Sequence, residues 1–216
     1  MEPIRFSTED GVWLEGELRG AEPPPRGSAV VCHAHPRRGG SKDHPILWAI
    51  RNDLAARGFA VLSFNFRGTM RSGGTYGGGR AEVRDVAAAV ARVREGTDGP
   101  TLVCGWSFGA AVALREAIED ERVGALALIG LPISADELDL PGPPSVSELR
   151  AFRRSVLLVA GEGDQHCRRP DLEAFARKLP AAEVQIVPGT DHFFWRREAQ
   201  VAELVGRFAE GLVASP

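Results

Sequence analysis

The sequence predicts an α/β domain, a mostly parallel sheet with helices packed on both faces. Two observations carry this. Short runs rich in β-branched and aromatic residues alternate along the chain with segments whose apolar residues fall at helical spacing. The length of 216 residues suits one hydrophobic core, and 44% hydrophobic with 25% charged residues is the composition of a folded globular chain.

Taken in order, Ile4 to Thr8 and Val12 to Leu18 flank the turn Glu9-Asp10-Gly11 and read as a hairpin. The proline-rich stretch from Glu22 to Gly27 is stiff and too short to separate domains. Ser28 to His33 reads as a buried strand. Ile46, Leu47, Ile50 and Leu54 mark a helix that begins at Pro45 and is closed by Gly58. Phe59 to Phe66 is the next strand, followed by a glycine-rich loop from Gly68 to Gly79. Val83, Val86, Val90 and Val93 form one helical face. Thr101 to Trp106 is a strand, and Ala110 to Ile118 a helix apolar nearly all round, as expected of one buried against the sheet. Val123 to Ile129 and Val156 to Ala160 are further buried strands. Leu172, Phe175, Ala176 and Leu179 share a helical face, Val184 to Val187 is the last strand, and Val201 to Leu212 the last amphipathic helix. One irregular insertion, Pro132 to Arg154, has room for a short helix or lid but not for a cap domain, so residues 1–216 are expected to form a single domain.

The formal net charge of −3 points to a small partner rather than to nucleic acid. No apolar run approaches the ~20 residues needed for membrane insertion as a span, and the N-terminal residues lack a signal-peptide pattern. Cys32, Cys104 and Cys167 are odd in number and widely spaced, which suits reduced, buried thiols. Together these features lead to the expectation of a cytoplasmic protein.

The chemistry centres on Gly105-Trp106-Ser107-Phe108-Gly109, which fits G-x-S-x-G and lies between a strand and an apolar helix. A serine there sits on a tight turn that lifts its hydroxyl clear of the sheet, at a helix N-terminus that favours developing negative charge. The plainer alternative is a β–α turn with a capping serine. A serine hydroxyl needs a base. His192 follows the last strand, at the same sheet edge as Ser107, and is the candidate. Asp164, in the loop after Val156 to Ala160, is the candidate acid that would fix the tautomer of that base. Asp136, after the preceding strand, competes for this role, whereas Asp191 adjoins His192 in sequence and is poorly placed to face it.

The order Ser107, Asp164, His192, with these strand spacings, resembles the α/β-hydrolase family over essentially the whole chain, and most closely its small members with little or no cap, in the dienelactone-hydrolase and serine-esterase branches. The resemblance implies an eight-stranded, mostly parallel sheet with an antiparallel strand near its start, and an acyl-enzyme mechanism with no cofactor or metal. It also implies an oxyanion hole of two backbone N–H groups, here Phe108 and, from the loop His33-Ala34-His35-Pro36, His35. Pro36 has no N–H, and Ala34 stands where the family commonly has glycine. The same resemblance makes His33 a structural residue of that loop and the Arg67-Gly68 pair scaffold.

The function expected is therefore hydrolysis of a small-molecule carboxylic ester. The alternatives are an acyl-coenzyme A or acyl-carrier thioesterase using the same residues, and a non-catalytic binding protein on the same fold. Trp106 and Phe193 are candidate substrate-binding residues, and with Phe108, Phe194 and Trp195 they either line a pocket or belong to the core. Arg37, Arg38, Lys42, Arg67 and Arg71 form either a basic rim for an anionic substrate or an ordinary solvated face. His33, His35 and His44 with Asp43 lack the i,i+4 spacing of a helical metal site.

Overall fold

The computed structural model describes residues 2–20, 24–134 and 139–214. The described chain builds one eight-stranded sheet in the order β1-β2-β4-β3-β5-β6-β7-β8. β1 (Glu2–Ser7) and β2 (Trp13–Arg19) form the hairpin, antiparallel to each other, and β2 is antiparallel to β4 (Phe59–Phe64). β3 (Gly27–Cys32), β4, β5 (Thr101–Trp106), β6 (Ala125–Ile129), β7 (Ser155–Gly161) and β8 (Ala182–Val187) are parallel. β3 to β6 are buried along their whole length because helices cover both faces, which explains why they read as unbroken apolar runs.

Successive side chains of a strand point to opposite faces, and this divides the core in two. Val30, Cys32, Leu62 and Val103 pack with α2 (Glu82–Arg94), α3 (Phe108–Glu119) and α5 (Arg169–Ala176). Ala29, Val31, Val61 and Cys104 pack on the other face with α1 (Pro45–Ala56) and α6 (Glu198–Ala214). Gly206 allows α6 to lie tight on α1: a Cβ there would sit 2.0 Å from the Asp53 carboxylate. All three cysteines are free and buried, and burial pushes the Cys104 thiol up to about 12.

Several boundaries differ from the sequence expectation for physical reasons. α3 starts at Phe108, two residues before the expected Ala110, because the chain turns from strand to helix at Ser107 alone. β4 ends at Phe64 rather than Phe66, since the Phe66 N–H leaves the sheet to donate to His33 Nε2. Within the Pro132 to Arg154 insertion the structure forms α4 (Val146–Ala151), started by a capping box in which Ser145 and Glu148 satisfy each other's backbone N–H. Leu149 and Phe152 anchor this segment in the core.

Candidate active site

Five parallel strands bring the candidate residues to one sheet edge. The registers Cys32↔Gly105, Trp106↔Ile129, Ile129↔Val159 and Gly161↔Val187 align the strand ends, so the loops after β3, β5, β6, β7 and β8 open onto the same place. Ser107 sits there with φ 56 and ψ −118, a conformation costing on the order of 1–3 kcal/mol for a residue other than glycine. Its N–H still donates to the Ile129 carbonyl (2.8 Å), while its own carbonyl accepts from Ala110 and Ala111 and starts α3. The flanking glycines are required by space. A Cβ on Gly105 would lie 2.3 Å from the Gly109 carbonyl oxygen, and one on Gly109 would lie 2.5 Å from that of Cys32.

Ser107 Oγ lies 2.9 Å from His192 Nε2, and His192 Nδ1 lies 2.8 Å from Asp164 Oδ2. The Asp164 carboxylate is fixed in turn by the backbone N–H groups of His166 (2.9 Å) and Cys167 (3.0 Å). With Nδ1–H donated to Asp164, His192 Nε2 is left to accept from the serine hydroxyl. The three side chains are almost entirely shielded from water. The loops that carry Asp164 and His192 are bound together: Glu162 N–H donates to Val187 O and Gly163 N–H to Thr190 O, and a Cβ on Gly161 would meet the Asp191 carbonyl at 2.4 Å. Asp191 itself is exposed and accepts from the Phe193 N–H, while Asp136 lies outside the described residues.

On the other side of Ser107, Phe108 is the first residue of α3, so its N–H has no intrahelical acceptor. His35 caps the short 3-10 turn Pro36–Arg38, where its carbonyl accepts from Arg38 and Gly40. Among the described residues no acceptor takes the His35 N–H. The alanine at position 34 is accommodated because the loop places its left-handed residue at Gly39 (φ 83) and its tightest approach at Gly40, where a Cβ would lie 2.0 Å from the Ala34 carbonyl oxygen. His33 is fully buried, donates from Nδ1 to the Ala34 carbonyl and accepts at Nε2 from Phe66; burial lowers its pKa to about 4 and keeps it neutral. His44 caps α1 through Nδ1, and His35 Nδ1 accepts from Arg37, so these three histidines each spend Nδ1 on a separate part of the backbone.

A pocket of about 230 Å³ opens at Ser107, walled by Ala34, His35, Gly40, His44, Trp106 and Phe193 among others. A larger cavity, about 710 Å³, lies between α3, α5 and the segment around α4, but it contains none of the three polar residues just described. The chemistry therefore selects the smaller one. No described residue of Pro132 to Arg154 lines it, so that segment does not lie over the site as a lid among the described residues. The aromatic residues divide: Phe108 and Phe194 belong to the core, whereas Phe193 and Trp195 are 47% and 58% exposed at the pocket mouth. Trp106 is buried, forms one wall, and donates its indole N–H to the His192 carbonyl (3.1 Å).

Of the two readings of the basic loop residues, the rim shrinks. Arg67 is buried and bound to Asp10 and Asp85, Lys42 is bound to Glu17 and Asp43, and Arg71 lies with Lys42 around a different depression. Only Arg38 of the five lines the pocket, with Arg37 beside it over the Tyr76 ring. Three residues at the site escape a reading of the sequence. His166 places its ring edge-on to His192 (4.9 Å between centroids) and lines the pocket. Gly130, at φ 54 after β6, leaves room for the pair: a Cβ there would lie 3.0 Å from His192 Cε1 and 3.3 Å from Asp164 Oδ2. Tyr76 reaches in from the glycine-rich loop to His35. A glycine ending a strand at this edge was a usable signal for Gly130; nothing local marks the other two.

With fold and geometry together, the class is defined. Residues 27–210 match the alpha/beta hydrolase domain family, and the chain belongs to that family. It is 30% identical over 132 residues to the uncharacterized protein YfhR of Escherichia coli O157:H7, a match that takes in 59% of this chain and 45% of that protein. The chain thus spans less than half the length of the curated relative it matches. Among solved structures it is similar to an alpha-beta serine hydrolase homologue from Coxiella burnetii, with a TM-score of 0.83 and 24% identity over 96% of both chains. It is also similar to XC6422 from Xanthomonas campestris, described as a serine hydrolase without lid, with a TM-score of 0.81 and 23% identity over 100% of this chain and 96% of that one. At these identities the likeness is one of fold.

Proposed function

We propose that the protein hydrolyses carboxylic esters of small molecules through an acyl-enzyme on Ser107. The observation that carries this reading is the unbroken chain Ser107 Oγ–His192–Asp164, with contacts of 2.9 and 2.8 Å, at a strained turn beside an open pocket. His192 Nε2 takes the hydroxyl proton as Oγ attacks the ester carbonyl. Asp164 holds the imidazole in the required tautomer and offsets the charge it gains. The N–H groups of Phe108 and His35 receive the oxyanion, each contributing about 3 kcal/mol in the transition state. The proton then passes from His192 to the leaving alcohol. In the second half a water gives its proton to His192, attacks the acyl carbonyl, and releases the acid with Ser107 restored.

Trp106 supports this reading in two ways, as a pocket wall and as the donor that holds the His192 carbonyl, and Phe193 supplies an exposed apolar contact for substrate. A coenzyme A group would gain little from the reduced rim of Arg37 and Arg38, so oxygen esters are preferred over thioesters on this geometry. The test is a panel of aryl esters of rising acyl length beside acyl-coenzyme A substrates. Turnover of the short aryl esters is expected to dominate, and turnover confined to the coenzyme A series contradicts the assignment.

A further inference from the structure

The side of Ser107 away from His192 contains a second hydrogen-bonded relay. His35 Nδ1 accepts from the Arg37 N–H at 3.2 Å, so in the neutral ring the proton is on Nε2. That Nε2 lies 3.1 Å from the hydroxyl oxygen of Tyr76, and the Tyr76 hydroxyl donates to the Asp139 carbonyl at 2.8 Å. Each donor thus has one acceptor, running in one direction from Arg37 to Asp139. The rings reinforce it. Tyr76 and His35 are 5.1 Å apart, His35 and Phe108 5.1 Å, and Tyr76 and Phe108 5.9 Å, so Tyr76 touches both residues assigned as oxyanion donors. Burial lowers the His35 pKa and raises that of Tyr76, which keeps the imidazole neutral and the phenol protonated, as the relay requires.

We propose that Tyr76 is a positioning residue for the oxyanion hole: its hydroxyl fixes the tautomer and place of His35, and its ring braces His35 against Phe108. The proposal rests on the reading of Ser107, Phe108 and His35 given above. It also accounts for the glycine-rich loop. Gly68 lies under Tyr76, where a Cβ would be 2.9 Å from the Tyr76 nitrogen, and Gly79 accepts the overlying Pro141, where a Cβ would be 2.4 Å from the ring. The loop is thereby shaped to deliver one side chain to the site, with the Asp139 to Pro141 backbone as its outer support. Tyr76 itself does not touch the reacting atoms.

The test is Tyr76→Phe, which keeps the ring and removes only the hydroxyl. We expect kcat for an aryl ester to fall about tenfold with KM within twofold, because oxyanion contacts are made mainly in the transition state. Binding of a trifluoromethyl ketone that mimics the tetrahedral adduct should weaken in parallel, while its methyl ketone counterpart is unaffected. A role in packing alone leaves Tyr76→Phe at wild-type turnover, and that result overturns the proposal. In the double variant with His35→Ala, the loss should not exceed that of the worse single variant; additive losses count against a shared relay. Tyr76 is the only tyrosine in the chain, so biosynthetic 3-fluorotyrosine gives a single fluorine label in an otherwise native protein. Its resonance should move when a boronic acid occupies the site, and a resonance that does not move contradicts the proposal. Equal turnover in wild type and Ser107→Ala, or none in either, would instead remove the underlying reading, a separate outcome.

Discussion

At the scale of single residues, the proposed mechanism depends on side chains held from more than one direction. Asp164 accepts two backbone N–H groups besides the imidazole, so Asp164→Asn is expected to preserve the loop while presenting an amide to His192. The tautomer is then wrong for accepting the serine proton, and kcat should fall by about three or more decades with KM little changed. Steady-state kinetics with an aryl ester measures this; a loss below tenfold argues that another carboxylate supports His192. Gly130→Ala tests the space around the same pair. The added methyl meets His192 Cε1 at 3.0 Å on a backbone of φ 54, so turnover should fall at least tenfold while the protein remains folded by circular dichroism. These roles differ in legibility. Ser107, Asp164 and His192 each follow a strand in a recognisable local setting, so the sequence alone points to them. Gly130, His166 and Tyr76 matter because of what approaches them from distant parts of the chain; a glycine at a strand end gives a local hint of the first, and no local pattern records the other two.

At the scale of elements, the glycine-rich loop is tied down at its base. Arg67 binds Asp85 through its guanidinium and its backbone N–H, and reaches Asp10 of the β1–β2 turn. Burial raises the Asp85 pKa to about 6 even beside this cation. Arg67→Leu would leave Asp85 buried without its partner, at a cost of about 3–5 kcal/mol, visible in denaturant unfolding. A cost below 1 kcal/mol would mean that the pair contributes little to folding. The sequence was informative here only in part. It marked Arg67-Gly68 as scaffold by resemblance, yet grouped Arg67 and Lys42 with a basic rim, because charge in a loop says nothing about which carboxylates come to meet it. Strands and helices were more legible. β3 to β6 are covered on both faces and read as continuous apolar runs, while α1, α2 and α6 show helical spacing because one side of each meets the sheet. The errors fall at element ends, where the turn at Ser107 and the His33–Phe66 hydrogen bond decide the boundary.

At the scale of the whole molecule, two buried carboxyls make stability fall as pH rises, opposed toward acid by His33, which burial lowers to about 4, and by the lowered carboxyl of Asp10. Burial, with the Asp120 carboxyl alongside, raises the Glu116 pKa to about 8, and Asp85 is raised to about 6. The folded protein therefore holds protons that the unfolded chain has released. Their stabilising contribution is complete at low pH, below the ordinary carboxylate values, and is lost as pH rises through about 6 and then about 8. Glu116→Gln removes the second part, so the variant should gain stability relative to wild type between about pH 5 and pH 8.5 in urea unfolding. A difference independent of pH would show that Glu116 is ionised normally in the fold. The sheet has a different task. Its parallel strands end together, and that common edge is what turns a serine, an aspartate and a histidine scattered over 85 residues of sequence into neighbours.

The central claim is that Ser107 is the nucleophile, and the most direct measurement is covalent labelling with a fluorophosphonate followed by mass spectrometry of the labelled peptide. The account predicts one adduct per chain, on Ser107, absent in Ser107→Ala and formed much more slowly in His192→Ala. Labelling that persists in Ser107→Ala, or that falls on another serine in the wild-type protein, would contradict it.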